Sequence, residues 1–502
     1  MRYDLIIIGS GPAGQKGAIA ASKLGKRVAL VERHVESIGG VCLHTGTIPS
    51  KTMREAILHL TGFRQREVYR EQYHHKRHIT MGALRRKLDQ VTLDEHHVIE
   101  DQFNRNGIDV FPGTARFVSP HEVEVTGGPS SALLSGDHVL IASGTKPARP
   151  DHIPFDGRTV FDSDEVLKLE QIPRSMIVVG GGVIGIEYAI MFATLGVRVT
   201  VVEGRDRLLP FCDREIVDSL KYHCRSLEMA FRLGEEVTSI RHTERGTVVV
   251  ELESRKRVVA ETVLFSVGRQ GDTEALNLPA AGLSPDARGR LTCSADHQTD
   301  VPHIYAVGDV VGFPALASTS MEQGRRAVCH AFGLPFKPCE QVPYGLFTIP
   351  EISMVGKTEE ELTADCVPYE VGVARFDEIA RGQIVGDHVG MLKLLFHRET
   401  RELLGVHCIG ETATEIIHIG QAVMAFGGTI DYFCNTVFNY PTMAECYKVA
   451  AFDGRNRSCI DEPMPVAAPR SQPSIEESIE SLVGEFSEQV RGAVGAEPYL
   501  VV

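Results

Sequence analysis

Apolar positions along the chain come in two textures. Near the start, "DLIIIGSGPAG" at residues 4–14 is a continuous apolar run ending in a glycine turn, the pattern of a strand buried on both faces. The same texture returns as "MIVVGGGVIG" at 176–185. Each run leads into a helical stretch and then a second apolar strand that ends in an acid, "RVALVE" at Glu32 and "RVTVVE" at Glu203. The step from Gly9 to Glu32 equals the step from Gly180 to Glu203, so the unit is repeated. "HVLIASGTKP" at 138–147 predicts a strand that runs into a turn at Gly144 and returns the chain to the first unit. "HIYAVGDVVGFPALASTSMEQGRRAVCHAF" at 303–332 predicts a strand, a turn at Gly308-Asp309 and a helix. From about residue 343 the pattern changes to short strands and amphipathic helices ("EISMVG", "VGMLKLLFHR", "ELLGVHCIG", "EIIHIGQAVMAF"), which predicts an antiparallel α+β domain.

The repeat carries chemistry. Gly9, Gly11 and Gly14 form one G-x-G-x-x-G turn, and Gly180, Gly182 and Gly185 form another. Such glycines let the backbone turn sharply and bring its N–H groups, with a helix N-terminus, against a pyrophosphate. The acid that ends the second strand accepts hydrogen bonds from ribose hydroxyls. Two such units imply two dinucleotides, and a redox enzyme is the natural owner of that pair. The expected fold is α/β, with two Rossmann-like dinucleotide-binding domains and a C-terminal α+β dimerisation domain. The boundaries read as 1–149 and 271–342 for the first domain in two parts, 150–270 for the second, 343–460 for the third, and 461–502 for a linker and tail. Asp309 reads equally as a helix cap or as a carboxylate placed to bind a cofactor hydroxyl.

Composition narrows the picture. A chain of 502 residues calls for more than one core. Its net charge of −14 argues against a nucleic-acid surface. No stretch approaches the roughly 20 apolar residues that span a bilayer, so no membrane partner is expected. The 11 scattered cysteines include no C-x-x-C pair and fit a reducing cytoplasm. Residues 52–110 read as helical and polar, and their histidines (His74, His75, His78, His96, His97) as a solvated surface rather than a metal site. After a Pro- and Ser-rich linker, Ile475, Ile479, Leu482, Phe486 and Val490 fall on one stripe of an amphipathic helix.

Taken together, these motifs resemble those of the FAD-dependent pyridine nucleotide-disulfide oxidoreductases over about residues 3–460. The resemblance implies that the first unit binds FAD and the second NAD(H) or NADP(H). Gly9, Gly11, Gly14, Glu32 and Asp309 would then contact FAD, and Gly180, Gly182, Gly185 and Glu203 the nicotinamide dinucleotide. Gly40, Gly144 and Gly268 join the cofactor-binding set on the same footing. It further implies that Lys51 of "PSK" lies beside the flavin N5 and pairs with Glu187. A homodimer or higher homo-oligomer is expected, with Tyr440 and Glu445 beside the flavin of the neighbouring chain.

Two departures from that pattern matter. Disulfide members carry a second cysteine five positions after the first, yet "GGVCLHTGTIPSKTM" has Cys42 and then Thr47. A hydroxyl cannot take part in thiol–disulfide exchange. Those members also place a histidine acid–base in the C-terminal turn, where "FNYPTMAE" has Tyr440, with Glu445 retained. Tyrosine, with a reference pKa of about 10, is a poor base at neutral pH. Both turns are similar to those of soluble pyridine nucleotide transhydrogenases, which implies reversible hydride transfer between NADPH and NAD⁺ through the flavin. A reductase passing electrons to a quinone or dye is the nearest alternative; a redox-state sensor acting through the tail is a more distant one. Cys42 reads as a packed small side chain rather than a nucleophile. For the second dinucleotide, Glu203 suits a 2′-hydroxyl, and Arg205 and Arg207 read either as 2′-phosphate ligands or as surface charges.

Overall fold

The computed structural model describes residues 1–63, 79–128 and 131–458. The tail stripe of 475–490, with His74, His75 and His78, lies outside those residues. The chain is mixed α/β. Its first sheet has the order Asp109–Pro112, Val28–Glu32, Arg2–Ile8, Ala132–Ile141, Glu122–Thr126, Thr114–Ser119, and Ile304–Ala306 also pairs with Ala132–Ile141. The strands around Arg2–Ile8 are parallel, and the far edge is antiparallel. The second sheet is entirely parallel: Ala230–Leu233, Arg198–Glu203, Ser175–Val179, Thr262–Phe265 and Val160–Asp162.

Why the sequence builds these sheets can be read residue by residue. In the first strand Leu5 and Ile7 face one apolar cluster with Val28, Leu30 and Leu140, while Ile6 and Ile8 face another with Ala29, Val31 and Ile141. Successive side chains point to opposite faces, so a continuous apolar run is what a strand covered on both sides requires. The second sheet repeats the division: Met176, Val178 and Val201 lie on one side, Ile177, Val179 and Val202 on the other.

Two short segments join the dinucleotide halves. Thr145–Pro147 follows Gly144 and Arg269–Gly271 follows Gly268, and they pair as an antiparallel ribbon in the register Arg269↔Pro147, Gln270↔Lys146, Gly271↔Thr145. Gly144 (φ 68°) and Gly268 (φ 82°) supply left-handed turns just before each segment.

The C-terminal region is a five-stranded antiparallel sheet, ordered Tyr344–Leu346, Glu351–Gly356, Leu403–Gly410, Met391–His397, Tyr369–Arg375, with the helix Ala413–Ala425 packed on it. The strand Met391–His397 holds a feature that sequence reading missed. Lys393 is fully buried and pairs with Asp213, Glu215 and Glu359, so its ammonium sits within the group of carboxylates that would otherwise attract a metal ion. A lone lysine in the apolar run "MLKLLF" was the available signal. No helix among the described residues is long and apolar enough to cross a membrane.

Candidate active site

Both glycine turns are built alike. The first strand ends at Gly9 (φ 103°), and the helix Pro12–Lys23 starts after Gly11. The second has Gly180 (φ 106°) and the helix Val183–Thr194 starting after Gly182. A Cβ on Gly14 would lie 2.0 Å from the Gly9 carbonyl oxygen, and one on Gly185 would lie 2.0 Å from that of Gly180. Gly14 and Gly185 therefore let the helix close onto the turn and do not line the cleft. A Cβ on Gly11 or Gly182, by contrast, would meet nothing within 4 Å, because both face open space. That space is one cleft of about 1480 Å³, lined by both turns.

Each acid is tied to its own turn. Glu32 accepts hydrogen bonds from the Ser10 N–H (3.0 Å) and the Ser10 hydroxyl (2.6 Å). Glu203 accepts from the Gly181 N–H at 2.6 Å, from the Arg205 N–H, and from the Arg205 guanidinium through both oxygens. Burial pushes the Glu203 carboxyl up, but these hydrogen bonds outweigh it and hold the group below the usual range. Glu32, Glu203, Arg205, Gly40, Gly144, Gly268 and Asp309 all line the cleft. Asp309, at the Gly308–Val311 turn, accepts from Thr145 Oγ1 at 3.4 Å, and burial raises its pKa.

In the middle of the cleft, Lys51 on the helix Thr47–Thr61 reaches across to the other half. Its Nζ lies 2.6 Å from Glu187 Oε2, and Glu187 Oε1 accepts the Phe347 N–H at 2.8 Å. The Lys51 side chain is 23% exposed against 6% for Glu187, so the pair presents the ammonium to the cleft. Cys42 and Thr47 face each other there, and the Thr47 hydroxyl donates to the thiol. Burial pushes the Cys42 thiol up more than that hydrogen bond lowers it, so the sulfur is a protonated, packed group near neutral pH.

The remaining candidates lie elsewhere. Arg207 does not line the cleft: its Nη2 donates to the Cys212 carbonyl at 2.8 Å, and its Nη1 lies 3.7 Å from Glu360. The structure thus separates it from Arg205, although the two stand close in sequence. Tyr440 is 72% exposed, away from this chain's own cleft, and Glu445 follows it in the turn Met443–Glu445 with a buried Oε2 lacking a partner among the described residues.

The cleft suits two dinucleotides. Its glycine turns leave backbone N–H groups beside open space at two helix N-termini. Thr45 Oγ1, Ser143 Oγ and Tyr188 Oη, all on cleft-lining residues, are buried without a hydrogen-bond partner among the described residues. Groups of that kind are normally satisfied, and a polar ligand is one way to do so.

Known proteins are similar to this chain in sequence and in fold. The chain is 54% identical over 458 residues to the soluble pyridine nucleotide transhydrogenase of Mycobacterium bovis, covering 91% of this chain and 97% of that one. It is 46% identical to the protein of that name from Photobacterium profundum, covering 91% and 98%. Among solved structures it is similar to the HOCl-induced flavoprotein disulfide reductase RclA from Escherichia coli (TM-score 0.80, 28% identity, 90% of this chain and 99% of that one). LpdA from Mycobacterium tuberculosis superposes with a TM-score of 0.83 at 25% identity, with the same coverage. Residues 342–451 match the dimerisation domain of the pyridine nucleotide-disulphide oxidoreductases, and residues 3–324 match the domain that carries both glycine turns. On that match and on the doubled turn, the chain belongs to the pyridine nucleotide-disulphide oxidoreductase family.

Proposed function

We propose that this protein is an FAD-dependent transhydrogenase that moves hydride reversibly between NADPH and NAD⁺, without a redox-active disulfide. The observation that carries the reading is the centre of the cleft, where the Lys51–Glu187 pair is present and Cys42 faces a hydroxyl instead of a second sulfur. FAD would lie against Gly9, Gly11, Glu32, Gly40, Gly144 and Asp309, and would supply a ring that accepts hydride from NADPH and returns it to NAD⁺. Gly180, Gly182 and Glu203 would hold the two nicotinamide dinucleotides in turn, in ping-pong order. Lys51 stabilises negative charge at the reacting edge, and Glu187 together with the Phe347 N–H fixes where that ammonium stands. Two dinucleotide couples of nearly equal potential need no further electron store, which is why loss of the second sulfur is tolerable. The domain boundaries at 149, 270 and 342, a cytoplasmic location and a homodimer complete the reading. In the dimer, Tyr440 and Glu445 would approach the neighbour's cleft.

The test is anaerobic transfer from NADPH to thio-NAD⁺ by the purified yellow protein, with no thiol or quinone present. Formation of thio-NADH is expected at turnover rates. Flavin bleaching by NADPH with nothing passed onward would overturn the reading in favour of a quinone or dye reductase.

A further inference from the structure

The carboxylate of Glu203 is fully subscribed. Oε1 accepts the Arg205 N–H (3.0 Å) and Arg205 Nε (2.9 Å), and Oε2 accepts the Gly181 N–H (2.6 Å) and Arg205 Nη2 (2.9 Å). An ionised carboxylate offers about four acceptor sites, so a ribose hydroxyl has no free lone pair to use. Something must leave before NAD(H) can be recognised here. The two backbone donors belong to the glycine turn and to the end of the strand Arg198–Glu203, and cannot move without unmaking them. The guanidinium can: the Arg205 side chain is 49% exposed, whereas that of Glu203 is 9% exposed.

The surrounding wall makes the same residue indispensable for a phosphate. Gly204, Glu235, Glu236 and Val237 line the cleft beside Arg205. Glu235 is held by Lys256 Nζ at 2.7 Å and by the Ser254 hydroxyl at 2.8 Å. Arg207 is turned toward the Cys212 carbonyl and Glu360. Among the described residues of this wall, Arg205 is the arginine or lysine that lines the cleft, and a 2′-phosphate would otherwise face Glu203 and Glu236.

We propose that Arg205 is a two-position gate: either dinucleotide lifts it from Glu203, NAD(H) by putting its ribose hydroxyl on the vacated carboxylate, NADP(H) by taking the guanidinium onto its 2′-phosphate. One residue thus competes with NAD(H) and recruits NADP(H). This rests on the reading of the cleft as a site for both dinucleotides, and it adds how the two are told apart. Its distinctive consequence is that removing the arginine helps one substrate while harming the other.

The experiment is titration calorimetry on FAD-loaded full-length protein with NAD⁺, NADP⁺ and the fragment 2′,5′-ADP at fixed ionic strength. Arg205→Gln is expected to weaken NADP⁺ and 2′,5′-ADP by roughly ten- to hundredfold, the range of a charge-assisted hydrogen-bonded contact, and to tighten NAD⁺ by about two- to fivefold. Glu203→Gln frees the guanidinium and should do the reverse, tightening 2′,5′-ADP and weakening NAD⁺. An Arg205→Gln protein whose NAD⁺ affinity is unchanged or lower overturns the gate, leaving Arg205 a plain phosphate ligand or a brace for Glu203. Wild-type protein that fails to bind NADP⁺ at all overturns the two-dinucleotide reading and the gate with it.

Discussion

At the scale of single residues, the site is a contrast between what was kept and what was replaced. Lys51 and Glu187 form a pair that spans the two halves of the cleft, while Cys42 has the Thr47 hydroxyl beside it in place of a second sulfur. If Lys51 supplies positive charge to the reacting edge, Lys51→Met should slow flavin reduction by NADPH about a hundredfold in stopped-flow measurements. A loss of less than threefold would mean that the ammonium only ties the two halves together. Some of this was legible in the sequence and some was not. Gly9, Gly11, Gly180 and Gly182 could be read because their spacing is dictated by local backbone geometry. Lys51 and Glu187 carry no local signal, since each would pass for a surface charge, and only family resemblance singles them out. The fate of Arg205 and Arg207 was beyond reach: two residues apart, they diverge because one finds Glu203 and the other the Cys212 carbonyl. Both partners are near in sequence, two and five residues away, but which way each long side chain turns is set by the folded surroundings and leaves no pattern in the chain.

At the scale of elements, partly buried histidines set a limit on acid tolerance. His121 and His303 stack with ring centroids 3.7 Å apart, and His138, on the strand Ala132–Ile141, packs against Tyr305 and Phe332. Burial is the main cause lowering the His138 and His303 pKa values, and the neighbouring histidines add to it. His297 is pushed down to about 4 by burial and Arg326. A histidine whose folded pKa lies below its unfolded value of about 6.5 favours the fold above that pH. As the pH falls below it, the unfolded chain gains protons that the folded one refuses, and stability drops. The thermal midpoint should therefore fall by a few degrees between pH 7.5 and 5.5, and His138→Phe should flatten part of that slope. A midpoint that is level or rises across this interval would refute the account. These contacts join a turn, a strand and a loop from distant parts of the chain, whereas the strands themselves announced their type through uninterrupted apolar runs buried on both faces.

At the scale of the whole molecule, the C-terminal domain leaves large apolar side chains uncovered in and after its helices: Phe426 is 91% exposed, Val437 89% and Tyr440 72%. Exposed apolar side chains this large suit an interaction surface, and a match to a dimerisation domain over 342–451 points to a second copy. Sedimentation should give twice the 55.0 kDa of the chain, and Val437→Glu should shift the protein toward single chains. A wild-type mass of one chain at micromolar concentration would count against it. The sequence exposed the doubled dinucleotide unit because repetition is visible at any distance, and it placed the crossings near residues 149 and 270, but the pairing of the two joining segments was not visible. That joining is the ribbon of Thr145–Pro147 and Arg269–Gly271, through which the chain leaves the first half and returns to it. Arg269 reinforces it by donating to both the hydroxyl and the carbonyl of Thr145. With the outgoing and returning strands zipped together, the walls of the cleft cannot slide apart like two blocks on a slack cord. An opening that left this ribbon intact would be a swing about it, as a book opens about its spine, with Gly144 and Gly268 as the creases.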